Sequence, residues 1–264
     1  MDLNGKPVDD LLAEQFKTMQ EEAEKITPEM EAKFAEAERR RLYEEALDRV
    51  EASNRNAEVP RRFWDASFLK YPSEISEEAR ELCLKENSDT IFIMYGTTGR
   101  GKTTTLCSAI HARAFEGVGA SYYFTMRNLE MILRRCRTYG ADEDEVTFMK
   151  HLSEIPFLCL DEVGTCLNQS DEVTFLRNII SSRYDNCLPT WIATNLTPTK
   201  FRAYLSGMNV SDLNGKTEEE LKALNENLVN NVVILNRIKS VAVEKILVGE
   251  SYRGVHNGDN TEAQ

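Results

Sequence analysis

The sequence predicts an α/β fold in which helices cover both faces of a parallel sheet, preceded by a charged helical arm. Two observations predict it. From Thr90 onward, short apolar runs alternate with helix-length stretches, which is the spacing of a parallel sheet with crossover helices. Before Pro60 the chain is rich in helix formers and charge but poor in core residues. At 264 residues there is enough chain for one full α/β domain and a smaller appendage.

The arm spans residues 1–60 and reads as helix from residue 8 to about 56. Thr27-Pro28-Glu29 is a helix start, with a hydroxyl N-cap, proline in the first turn and an acid near the positive end of the dipole. Met30, Phe34, Leu42, Leu47 and Val50 keep only an approximate helical period. Before Pro60, 16 acidic residues stand against 9 basic ones, which is more than half of the net charge of −12. A solvated arm and a partner-docking arm are both compatible with this pattern. The acidic balance excludes a protein that coats duplex DNA through its overall field, and it favours a protein partner. No apolar run reaches the roughly 18–20 residues of a membrane span, and MDLNGKPVDD lacks the basic start of a signal peptide. A cytoplasmic protein with no membrane association is expected. The six cysteines form no CxxC pair, so reduced, mostly buried thiols are expected.

Pro60 and the aromatic-rich RRFWDASFLKY (61–71) mark the start of the core, 61–254. Strands are predicted at 91–95, 121–125, 157–160, 190–194 and 245–248, with helices near 102–116, 127–138, 144–153 and 171–186. The polar segment 206–231 reads as an insertion, in which Thr217 and the glutamates after it start a short helix. The tail, 255–264, is expected to be disordered.

Gly96-Thr97-Thr98-Gly99-Arg100-Gly101-Lys102-Thr103 matches G-x-x-x-x-G-K-[ST] in full, between an apolar strand and a helix, with Thr104 next in line. Glycines let the backbone wrap a phosphate and turn its N–H groups inward, and the helix N-terminus adds positive potential. Lys102 is expected on the β- and γ-phosphates of ATP and Thr103 on Mg²⁺. Phe157-Leu158-Cys159-Leu160-Asp161-Glu162 follows about sixty residues later as a Walker B candidate. Asp161 would hold the Mg²⁺ shell, and Glu162 would act as general base on the attacking water. Third comes Thr190-Trp191-Ile192-Ala193-Thr194-Asn195, where an amide at the strand end can orient water beside the γ-phosphate. In this order Asn195 looks like the sensor 1 position of AAA+ proteins.

With these motifs in place, the chain from Arg62 to Arg253 resembles the DnaC-type helicase loaders and the related IstB-like transposition helper ATPases. The stretches that carry the resemblance are RFWDASF, GTTGRGKTTTL, FLCLDEVG, RYDNCLPTWIATNL and NRIKSVAVEKILVGESYR. The resemblance implies an AAA+ core that assembles side by side as a homo-oligomer, each ATP site being completed by its neighbour. It also implies a replicative DNA helicase as client and single-stranded DNA as a weak ligand. The transposition helper is the alternative within the family, and a non-hydrolysing ATP-dependent adaptor is an alternative from another class. Arg237 falls where the family places the first arginine of its R-I-x-x-R-L box.

Two positions depart from the family. Walker B is Asp-Glu rather than Asp-Asp, which keeps the acid. The second arginine of the box falls at Val241, which carries no charge. Either Arg237 supplies the arginine of a neighbouring site, the insertion shifts the register, or the subunit hydrolyses ATP slowly. Arg134, Arg135 and Arg137 form a candidate DNA patch, although a solvated helix face accounts for them better. Tyr122 and Tyr123 could stack bases, but strand packing accounts for them better. His111, His151 and His256 are too scattered for a metal or triad site.

Overall fold

The computed structural model describes residues 28–85, 88–166, 168–213, 215–217, 219–223 and 233–248. The chain divides into two units, Met1–Asp48 and Arg49–Gln264. In the first, the described residues belong to helix α1 (Pro28–Asn56), on which Phe34, Leu42 and Leu47 are exposed. The arm residues before Pro28 and the tail 255–264 lie outside the described residues.

The second unit is built on five parallel strands: β1 (Ile91–Tyr95), β2 (Ser121–Thr125), β3 (Phe157–Val163), β4 (Thr190–Thr194) and β5 (Ala242–Ile246). Their order is β2-β3-β4-β1-β5. Alternate residues face opposite sides of each strand, so the apolar runs feed two cores. Ile91, Ile93, Tyr95, Leu158, Leu160 and Ile192 enter one. It is shared with helices α4 (Met126–Cys136), α5 (Glu145–Glu154), α6 (Gln169–Asp185), α7 (Pro198–Leu205) and α9 (Val233–Val241). Phe92, Met94, Phe157, Cys159, Trp191 and Ala193 enter the other, against α2 (Ser76–Cys83) and α3 (Lys102–Glu116).

The sequence sets the arm–core boundary at residue 60, whereas residues 49–60 lie in the larger unit. The reason is local. Ala57 and Val59 are buried in the second core, and Arg49 caps the end of α3 by donating to the carbonyls of Ala114 (3.1 Å) and Phe115 (2.7 Å). His111 is buried on α3, its Nδ1 2.7 Å from the Ala66 carbonyl and its Nε2 2.5 Å from Asn54 Oδ1. Burial holds its pKa below the usual histidine value. It ties α3 to the end of α1 and to the segment before β1, so its role is structural.

The last strand starts three residues before the predicted position, and the Walker B strand runs on through Val163. The short helix α8 (Val210–Leu213) falls in the predicted insertion. There the expected start at Thr217 is present: Glu220 N–H donates to Thr217 Oγ1 (3.3 Å) and Thr217 N–H to Glu220 Oε2 (2.8 Å). Leu221 of that turn is buried against Ala203. Residues 224–231 of the segment lie outside the described residues. Among the described residues no helix is long and apolar enough to cross a membrane. All six cysteines are unpaired.

Candidate nucleotide site

Strand order decides where the motifs meet. Tyr95 pairs with Thr194 at the ends of β1 and β4, so Gly96 and Asn195 leave the sheet side by side. β3 lies next to β4 and delivers Asp161 to the same edge. The carboxyl edge of an open parallel sheet is where such folds place ligands, and a crevice opens here because β1 leads to α3 on one face while the adjacent β4 leads to α7 on the other.

Gly96 has φ 142°, and a Cβ on it would stand 2.7 Å from the carbonyl oxygen of Leu247, so only glycine fits where the end of β5 crosses the loop. Gly99 and Gly101 also have positive φ, and α3 begins directly after at Lys102. The Lys102 ammonium donates to the carbonyls of Gly96 (2.5 Å) and Thr97 (2.9 Å) and to Asn195 Oδ1 (2.9 Å). An anion held by Lys102 therefore also lies beside Asn195. Thr103 donates its hydroxyl proton to Asp161 Oδ2 at 2.7 Å, which leaves the hydroxyl lone pairs for a cation.

Asp161 is 3 % exposed, whereas Glu162 is exposed to the site. The separation has a backbone cause. β3 carries one extra residue between its pairings with Ile192 and Thr194, and Glu162 sits in that bulge at φ 58°. A non-glycine residue there stores on the order of 1–3 kcal/mol of strain, so the surroundings must hold it. They do so at four points. Thr165 Oγ1 donates to the Glu162 carbonyl (2.6 Å), and Thr194 Oγ1 to the Val163 carbonyl (2.7 Å). The buried Glu172 carboxylate accepts from the N–H groups of Gly164 (2.6 Å) and Cys166 (3.1 Å). Glu172 has no motif signal, and its part is visible only in three dimensions.

A cavity of about 230 Å³ opens onto these residues. It is lined by Thr98 to Thr105, Asp161, Glu162, Thr194 and Asn195. Its far wall is formed by Arg62, Phe63, Asp65, Ala66, Tyr71 and Ser73 from the segment before β1. The sequence marked that segment as a boundary and as one stretch of the family resemblance, but gave its residues no part in the site; its concentration of arginine and aromatic residues was the available signal. Arg100 Nε donates to Thr97 Oγ1 (3.2 Å), while its Nη1 is buried on the cavity wall with no protein partner. An orphaned cationic donor, an inward-facing loop, a lysine and a Thr–Asp pair together fit a nucleotide polyphosphate with Mg²⁺.

Arg237 does not reach this cavity. α9 ends immediately before β5, whose first residue pairs with the first residue of β1, so Arg237 belongs to the opposite edge of the sheet. It donates to the Ser181 carbonyl (3.3 Å), pairs with Asp185 (3.2 Å) and lies over the Tyr184 ring. Val241 packs against the core. The candidate DNA patch is charge-compensated: Arg134 pairs with Glu130, Arg135 with Asp142, and Arg137 with both Glu145 and Asp171. Of the two tyrosines, Tyr122 packs edge-on to His151, and Tyr123 turns out to bond Asp161.

Sheet order, phosphate loop and strand-end acids define an AAA+ P-loop fold. Among solved structures the chain is similar to DnaI, at 17 % identity and a TM-score of 0.50 over 73 % of this chain and 93 % of that one. It is equally similar to the DnaC helicase loader, at 20 % identity and a TM-score of 0.50 over 72 % of this chain and all of that one. At these identities the likeness is one of fold. No protein-family model matches the sequence, and no curated protein matches it significantly.

Proposed function

We propose that this chain binds Mg-ATP at Gly96–Thr104, hydrolyses it, and acts in DNA replication as a loader of a replicative helicase on single-stranded DNA. The observation that carries the reading is the convergence of Lys102 with Asn195 and of Thr103 with Asp161 at one sheet edge. Mg²⁺ would be held by Thr103 and Asp161, where it would neutralise phosphate charge. Lys102 and the loop amides would bind the phosphates, Arg100 would add a cation, and Phe63 and Tyr71 line the part of the cavity left for the nucleoside. Glu162 takes a proton from water that Asn195 orients. The fold shared with the DnaC helicase loader supports the replication role. The exposed apolar residues of the acidic arm supply a surface for the helicase. The expected result is that the full chain with ATP captures a hexameric replicative helicase. Capture should fail on removal of residues 1–48, the smaller unit, and Lys102→Ala should lose ATP binding. Nucleotide-independent capture that survives without the arm would overturn the loader reading.

Arg237 does not line its own chain's cavity, so any catalytic part for it would be on a neighbour's site in a side-by-side homo-oligomer. An arginine supplied in trans is worth about 10³–10⁵ in rate. Arg237→Ala and Lys102→Ala subunits, each inactive alone, are therefore expected to recover turnover when mixed. A mixture that assembles and stays inactive would remove Arg237 from catalysis. The adaptor reading keeps one supporting observation, the apolar side chain at Val241.

A further inference from the structure

Tyr123 stands outside every sequence motif, yet it touches the centre of the site. It lies on β2, opposite Cys159 in the β2–β3 register, and is 4 % exposed. Its hydroxyl donates to Asp161 Oδ2 at 2.8 Å, the same oxygen that accepts from Thr103 at 2.7 Å. The other carboxylate oxygen, Oδ1, accepts from the Glu162 N–H at 2.8 Å. The Asp161 carboxylate is thus fixed by three donors from three directions: the neighbouring strand, the phosphate loop and its own bulge.

We propose that Tyr123 is a positioning residue for Mg²⁺, acting through Asp161; the inference rests on the nucleotide reading of the site. The chemistry is that of an outer-shell donor. A carboxylate has two oxygens and rotates easily about its last bond, so its aim depends on what its oxygens accept. Thr103 holds that oxygen from the phosphate-loop side only, and its hydroxyl also has lone pairs to turn toward the cation. Tyr123 meets no such second demand. It is buried, and its ring is anchored in the second core beside Cys107 and Cys159. Its backbone is fixed too, its N–H donating to the Ala57 carbonyl at 3.2 Å. The hydroxyl therefore holds Asp161 Oδ2 in place whether or not Thr103 is engaged. A base-stacking role is excluded, since the ring is enclosed and the hydroxyl is taken.

Tyr123→Phe removes one oxygen and leaves the ring packing intact. The measurement is the affinity of the full-length protein for a fluorescent ATP analogue, first in chelator and then across a Mg²⁺ titration. Chelator affinity is expected to be unchanged, and the Mg²⁺ concentration giving half of the tightening to rise about tenfold, the usual cost of losing an outer-shell partner. Thermal unfolding without metal reports whether packing survived. An unchanged Mg²⁺ midpoint would overturn the proposal. So would an equal loss of affinity with and without Mg²⁺, which would mark Tyr123 as a packing residue. A wild-type protein that bound no nucleotide would instead sink the reading of the site on which the proposal rests.

Discussion

Glu162→Gln is expected to bind ATP as the wild type does and to lose at least about 100-fold in turnover, the lower end of what general-base catalysis contributes. The substitution is nearly isosteric and removes only the ability to accept a proton. Phosphate binding rests on the loop and Lys102, and the metal rests on Thr103 and Asp161, so neither is touched. The backbone argument sharpens the expectation. Glu162 adopts φ 58° in the bulge of β3, a conformation whose cost is already met by Thr165, Thr194 and Glu172. That strain aims the carboxylate into the cavity while Asp161, one residue earlier, stays buried. Glutamine inherits the same backbone and the same aim, so unfolding temperature should not move. Single-turnover phosphate release, measured beside nucleotide affinity, separates chemistry from binding. Turnover within a fewfold of wild type would show that water is activated elsewhere.

The strands were legible where both faces of the sheet are covered, because double burial leaves an unbroken apolar run such as IFIMY or TWIAT. Of the two edge strands, β5 broke that rule. β5 carries Glu244 and Lys245, the first taken by Tyr95 and Arg202 and the second by Glu78 at 2.5 Å. Charges satisfied by partners distant in sequence hide a strand from any pattern of hydrophobicity. The apolar run of β3 likewise stops at Leu160 although the strand continues, since Asp161 and Glu162 line the cavity before Val163 returns to the core. In the site, the loop, the acids and Asn195 were readable because phosphate chemistry demands fixed residue types at fixed spacing. Tyr123 and Glu172 were not, because an outer donor or a loop clamp can be supplied from any neighbouring element.

Arg183 shows the same limit on the side of stability, and Arg183→Leu is expected to cost about 3 kcal/mol, roughly 6–12 °C in unfolding temperature. The residue sits within RYDNCLPTWIATNL and was given no role of its own by the motif. It is completely buried on α6. Its guanidinium donates to the carbonyls of Leu152, Ile155 and Pro189, each at 2.7 Å, and to Thr190 Oγ1 at 2.9 Å. Those four bonds join the end of α5, the end of α6 and the start of β4, the strand that delivers Asn195. Burial lowers the pKa to about 9, so the group keeps its proton at neutral pH but is held at a cost. Leucine removes that cost but takes the side-chain donor from the Leu152 and Ile155 carbonyls, each worth about 1–3 kcal/mol, and leaves Pro189 only the 3.4 Å bond from the Leu158 N–H, so the losses win. Lysine should not rescue, because one ammonium cannot span the fork that serves both sides of the joint. A folded Arg183→Leu protein, assayed well below its unfolding temperature, should still bind nucleotide. If unfolding moved by less than about 2 °C, under 1 kcal/mol on the same scale, this joint would not be what holds β4 in register.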